Sequence, residues 1–217
     1  MGKRSNFERI PRDFYPTPFA AVPPLIPHLR GVSTFAEPCA GDGALARSLE
    51  SFGLRCVYVG DIAAGQDALA RDGYGNADAI ITNTPYTREQ MYRLIEHFLR
   101  IGPMTWLLLP ADWMHNLHAA PFVPSCTDVV SIGRVRWFEG TTMSSMENFA
   151  WYRFDGHHSA GPVLHARGSA SVESRASRCE QCGKPYRPQR SDSRFCSDTC
   201  RQRAHRSRLA VTSRDNA

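Results

Sequence analysis

The stretch Thr34-Phe35-Ala36-Glu37, then Pro38-Cys39-Ala40-Gly41-Asp42-Gly43, then Ala44-Leu45-Ala46-Arg47-Ser48-Leu49 leaves the chain few folds to choose from. A short apolar run ends in an acid, small residues and two glycines follow, and helical spacing begins at once. That order describes a buried strand, a tight turn and a helix, the opening of an α/β unit. Gly41 and Gly43 can take positive φ and carry no Cβ, so a ligand could approach their backbone closely. The N–H groups of the following helix would point at that ligand. In open α/β sheets the crevice at the carboxyl end of such a strand is where ligands bind. A dinucleotide fingerprint needs three spaced glycines. Here there are two, and Asp42 between them suits a ligand without phosphates or one carrying a positive group. An ordinary strand-to-helix turn would present the same residues.

Length and composition bound the rest. A chain of 217 residues with 42% hydrophobic residues can hold one good-sized domain with a small appendage. Its apolar runs are too short for a membrane span, and residues 1–6 do not read as a signal peptide. We therefore expect no membrane partner and a cytoplasmic location. Residues 1–13 are polar and read as loose. Apolar residues from Phe19 to Leu29 have helical spacing, interrupted by Pro23, Pro24 and Pro27. Thr17 before Pro18 fits a helix cap followed by a first-turn proline. Arg55–Asp61 predicts a second strand ending in an acid, a position that commonly holds ribose hydroxyls, although a turn carboxylate would look the same. Residues 62–77 allow a short helix. Ala79–Thr82 and Thr105–Leu109 predict further strands around an amphipathic helix over Arg88–Ile101. Val129–Val135 and Phe149–Phe154 predict the last strands, with Trp137 and Phe138 between them. Strands alternating with helices argue for a mostly parallel sheet with an antiparallel pair at its edge. Residues 155–178 read as a linker.

Asn83-Thr84-Pro85-Tyr86 falls at the carboxyl end of a predicted strand, in the same crevice as the glycine turn. An Asn side-chain oxygen and a neighbouring main-chain carbonyl can both accept from one amino group and so orient a planar amine. Pro85 biases Thr84 toward extended geometry, and Tyr86 offers a face on which a flipped base could stack. Asn-x-Pro turns are common, so the strand context is what raises this one.

With Tyr15-Pro16-Thr17-Pro18, Glu37 to Gly43, Asp61 and Asn83 to Tyr86 in this order, residues 13–154 resemble the S-adenosylmethionine-dependent amino methyltransferases. The likeness is to the small phage and prophage adenine-specific DNA methyltransferases. It implies a doubly wound, Rossmann-like seven-stranded sheet whose last strand is antiparallel. It implies that Tyr15, Thr17 and Pro18 help close a cofactor pocket, and that Glu37, Pro38 and the turn Ala40, Gly41, Asp42 and Gly43 line the methionine part. Asp61 would take the ribose hydroxyls and Asp67 the adenine, while Asn83, Thr84, Pro85 and Tyr86 would hold the target amine and base, with Asn83 also bordering the cofactor. The family usually has Pro where this chain has Thr84, but the group used there is a carbonyl, which Thr also has. Pro38-Cys39 matches the nucleophile dipeptide of a cytosine-ring methyltransferase, but it lies in the cofactor turn, so Cys39 reads as a packing residue.

Cys179-x-x-Cys182 and Cys196-x-x-x-Cys200, thirteen residues apart, read as a structural zinc site. Disulfides are the alternative, disfavoured without a secretion signal, and His205 could replace one thiolate. Ser197 would cap a basic helix reaching Leu209. The segment Arg194 to Arg203 resembles treble-clef zinc fingers, and so short a module would need zinc to fold. Residues 179–217 carry nine Lys/Arg and four Asp/Glu, so they hold the whole net charge of +5. A polyanion contacted through this module fits that asymmetry, although an interaction tag for protein would share it.

The expected organisation is a methyltransferase domain over 1–154, a linker over 155–178, a zinc finger over 179–209 and a disordered tail over 210–217. The expected activity is methylation of the 6-amino group of adenine in DNA, with S-adenosylmethionine as cofactor and Zn2+ as structural metal. Alternatives are adenine in RNA, the cytosine 4-amino group, a glutamine amide, or a zinc-dependent nucleic-acid-binding protein on a degenerate methyltransferase scaffold.

Overall fold

The computed structural model describes residues 15–102, 104–137, 145–167, 177–186, 194–197 and 199–204. The chain divides into two compact units, 1–168 and 169–217. Among the described residues no helix is long and apolar enough to cross a membrane.

The first unit is a seven-stranded mixed sheet with helices on both faces. Its strands are β1 (Thr34–Glu37), β2 (Arg55–Val59), β3 (Ala79–Asn83), β4 (Met104–Pro110), β5 (Cys126–Arg134), β6 (Asn148–Phe154) and β7 (Val163–His165). Their order across the sheet is β2-β1-β3-β4-β6-β5-β7. The pairs β2/β1, β1/β3 and β3/β4 are parallel, β6 runs antiparallel between β4 and β5, and β7 is parallel to β5.

Alternation along the strands builds two cores. Trp106 and Leu108 of β4 face one side of the sheet with Phe35, Ile81 and Trp151. There they pack against Leu45 and Leu49 of helix α1 (Ala44–Ser51). Leu107 and Leu109 face the other side with Ile80 and Tyr152, against Leu94, Ile95 and Phe98 of α2 (Arg88–Ile101). Period-two side-chain direction in a fully covered strand produces this split. The indole Nε1 of buried Trp151 donates to the Ala21 carbonyl at 2.8 Å, tying the N-terminal turns to the sheet.

Four expectations need correction. The antiparallel strand is β6, inside the sheet, and it is not the last: β7 follows it at the edge, within the segment read as a linker. That strand is only three residues long and exposed, with Val163 60% and Leu164 71% accessible, so it leaves no hydrophobic pattern to read. Residues 19–29 form only 3-10 turns (Phe19–Ala21 and Ile26–His28), because proline supplies no N–H for a longer helix. Pro18, not Thr17, holds the cap position of the first turn, and it makes no side-chain cap bond. Residues 62–77 likewise hold two 3-10 turns, Ile62–Ala64 and Ala68–Ala70.

In the second unit β8 (Ser177–Arg178) and β9 (Pro185–Tyr186) form an antiparallel hairpin. Residues 199–204 are helical, and Ser197 Oγ accepts from the Cys200 N–H at 3.3 Å as the expected cap. Asp13, Phe138, His205, the helix beyond 204 and the tail at 210–217 lie outside the described residues.

Candidate active site and metal centre

The strand order reverses beside β1, so the carboxyl ends of β1 and β3 border a crevice. A cavity of about 490 Å³ occupies it. Its wall includes Tyr15, Thr17, Glu37, Pro38, Ala40, Gly41, Asp61, Asp67, Asn83, Thr84 and Pro85. Thus the glycine turn and the Asn83 tetrapeptide, 40 residues apart, share one hollow. Pro18, Asp42, Gly43 and Tyr86 are not on its wall. Pro16, Cys39, Ile62, Ala63, Ala68, Leu69, Gln90, Arg93 and Leu94 are, none of them expected as site residues. Gln90, Arg93 and Leu94 fall at i, i+3 and i+4 on α2, the spacing of one helical face, a signal that was available in the sequence. Arg93 is the one cationic side chain on the wall among the described residues.

Backbone hydrogen bonds lace the two strand ends together. Gly60 N–H donates to Glu37 O at 3.0 Å and Ala40 N–H to Gly60 O at 2.9 Å. Asp61 is two residues beyond β2. One of its carboxyl oxygens accepts from Gly41 N–H and the other from Ala63 N–H, each at 2.8 Å. Asp61 therefore holds the glycine turn and caps the next 3-10 turn while lining the cavity. Asp67 accepts from Leu69 N–H at 2.9 Å in the same capping manner.

Asp42 does a different job from the one expected. Its Oδ1 accepts the first helical N–H, of Ala44, at 2.9 Å, and Arg47 Nη1 donates to its carbonyl at 2.7 Å. The start of α1 is thus capped by the chain itself. Gly43 is the N-cap at φ 77°, a left-handed position that a Cβ would strain.

Glu37 is 1% exposed, and its Oε2 has no hydrogen-bond partner among the described residues. Burial raises its pKa to about 8, partly offset by the Ala46 backbone N–H. At neutral pH it is mostly a protonated acid on the cavity wall. Burial also pushes the Cys39 thiol up to about 12, so it stays protonated and is no nucleophile.

Asn83 Nδ2 donates to the Tyr15 carbonyl at 3.3 Å, and its Oδ1 accepts from the Tyr86 hydroxyl at 2.6 Å. The Tyr86 ring packs on Phe149 with centroids 5.6 Å apart and edge-on to Trp137 at 6.2 Å. The half-buried ring thus belongs to an aromatic cluster. Thr84 is 2% exposed, and its hydroxyl is unpaired among the described residues.

In the second unit the Sγ atoms of Cys179, Cys182, Cys196 and Cys200 all lie within 4.8 Å of one another. Cys196 Sγ is 3.6 Å from both Cys182 Sγ and Cys200 Sγ. A tetrahedron with zinc–sulfur bonds of about 2.3 Å has edges of about 3.8 Å, so the four fit a zinc ion. Desolvation would raise the Cys179 thiol, but N–H groups of Cys196, Cys182 and Gln181 directed at its sulfur hold it down at about 6. Gly183, at φ 69°, closes the knuckle by donating to the Cys179 carbonyl at 2.8 Å. Arg194 pairs bidentately with Glu180 at 2.6 Å, joining the hairpin to the segment that carries Cys196.

No family model matches the chain, and no curated protein matches it. Solved structures do. One is the "putative RNA methyltransferase PH1948 from Pyrococcus horikoshii", with TM-score 0.47 and 13% identity over 65% of this chain and 85% of that one. A second is the "putative methyltransferase yhhF from Escherichia coli", with TM-score 0.36 and 15% identity over 60% and 81%. A third, a "putative methyltransferase from Thermoplasma acidophilum", has TM-score 0.33 and 11% identity over 62% and 72%.

Proposed function

We propose that the first unit is an S-adenosylmethionine-dependent methyltransferase that modifies the 6-amino group of adenine in DNA. The observation that carries the reading is that the glycine turn, Asp61 and Asn83–Pro85 wall a single cavity. Its volume of about 490 Å³ lies within the ordinary range for small-molecule sites, about 300–1,000 Å³. The cofactor would supply a sulfonium methyl already activated for transfer. Asp61, fixed by two backbone N–H groups, retains lone pairs for a diol. Glu37 offers an acid on the wall that can ionise toward a cationic group. Asn83 Oδ1 and the Thr84 carbonyl would accept from the target amine and hold it in line. With Cys39 protonated, covalent attack on a cytosine ring is disfavoured.

The second unit, with four thiolates around Zn2+, would anchor the enzyme on nucleic acid through Arg201 and Arg203, which are exposed on the helix over 199–204. Only 21 residues separate Asp61 from Asn83, too few for an inserted recognition domain, which favours a C-terminal anchor. Deleting residues 170–217 should weaken DNA binding and flatten its salt dependence; unchanged binding would refute the anchor.

A nucleic-acid-binding protein on a non-catalytic scaffold is the second reading. It is favoured by Thr84, which stands where the resembled family has a rigid proline and whose buried hydroxyl is unpaired among the described residues. Calorimetry with S-adenosylmethionine, followed by methylation assays on DNA and RNA for wild type and Asn83→Ala, separates the two. Binding with no transfer to either nucleic acid selects the second.

A further inference from the structure

Resting on the methyltransferase reading, we propose that Tyr86 is a positioning residue acting through its hydroxyl on Asn83. The Tyr15 carbonyl can only accept, so the Asn83 nitrogen must be the atom that faces it, 3.3 Å away. This fixes Oδ1 on the opposite side, where the Tyr86 hydroxyl donates to it at 2.6 Å. The amide is thereby held at both ends. One Oδ1 lone pair is used and one remains for an incoming amine. An amide rotated by half a turn would put N–H donors against that amine.

The ring of Tyr86 has aromatic neighbours. Half-buried, it packs against Phe149 and Trp137, which meet each other edge-on at 5.0 Å. Tyr86 is absent from the cavity wall, whereas Tyr15 is on it and leans on Trp137 at 5.8 Å. A hydroxyl is dispensable for stacking and indispensable for orienting Asn83, so one conservative substitution separates the roles.

Tyr86→Phe keeps the ring among its neighbours and removes only the O–H. Steady-state methylation of DNA by the full-length protein should show kcat reduced about five- to tenfold, as for one lost hydrogen bond. KM for DNA and the calorimetric Kd for S-adenosylmethionine should stay within about twofold. Unchanged kcat, or a raised KM with kcat kept, overturns the proposal. The side-chain amide 15N–1H pair of Asn83, assigned through its loss in Asn83→Asp, provides a readout without turnover. It should shift in Tyr86→Phe, and an unmoved pair overturns the proposal. If wild type transfers no methyl group the methyltransferase reading fails, and the amide pair still decides whether Tyr86 orients Asn83.

Discussion

Replacing Glu37 by Gln tests the electrostatics of the cavity wall. Glu37 is buried at the end of β1 with one carboxyl oxygen unpaired among the described residues. Desolvation raises its pKa from 4.5 to about 8. Below pH 4.5 the folded and unfolded chains both carry the proton, so the acid costs nothing. Between pH 4.5 and about 8 the folded state keeps the proton and the unfolded state has lost it. Stability therefore falls as pH rises, by up to about 1.4 kcal/mol per pH unit. Across the whole window the loss is on the order of 5 kcal/mol. Asp78 and Asp128 have lowered pKa values, so their stabilisation is lost below the carboxylate range and does not enter this window. Gln fills nearly the same volume and does not titrate. Urea unfolding of both proteins from pH 5 to pH 8 should show the variant gaining several kcal/mol relative to wild type. Parallel curves, differing by a constant, would refute the reasoning. The same acid makes ligand binding proton-linked: a cationic group brought beside Glu37 should release up to one proton near pH 7, read as a dependence of calorimetric heat on the buffer.

Three further outcomes are expected. Asn83→Ala should lower methyl transfer by about 10²–10³, the usual cost of removing a preorganised polar group, with cofactor affinity nearly unchanged by calorimetry. Asp61→Asn turns one acceptor into a donor against the Gly41 or Ala63 N–H. It should weaken S-adenosylmethionine binding by about 10–100-fold, as for a lost charged hydrogen bond. The purified protein should contain about one zinc per chain. Chelation, or Cys200→Ser, should abolish hydrogen-exchange protection in the hairpin of β8 and β9 and in the helix over 199–204, while that of the first unit stays intact.

How much of this was legible depends on the length and the burial of each segment. Helix α2 was readable end to end, because Met91, Leu94, Ile95 and Phe98 repeat at helical spacing under one packed face. Strand β4 was readable as a continuous apolar run, since both its faces are covered. Strand β7 was not, because its three residues, two of them exposed, gain their place only from distant pairing with β5. Its anchor is His165 on Asp128 at 2.8 Å, a contact spanning 37 residues. In the site, chain spacing brought Glu37, Asp61 and Asn83 to the same crevice, as a doubly wound topology requires. It could not say that Asp42 would turn back to cap α1, since an acid between glycines suits either role. Nor could it say that the ring of Tyr86 would pack beside Phe149 and Trp137, because both are more than fifty residues away along the chain.

The central claim is that the cavity holds a methyl donor within reach of an amine presented to Asn83. Incubation with methyl-labelled S-adenosylmethionine, plasmid DNA and total RNA, followed by nucleoside analysis, tests it most directly. Label should appear as N6-methyladenosine of the deoxy series with wild type and vanish with Asn83→Ala. Label in neither nucleic acid, with a cofactor that binds, would contradict it.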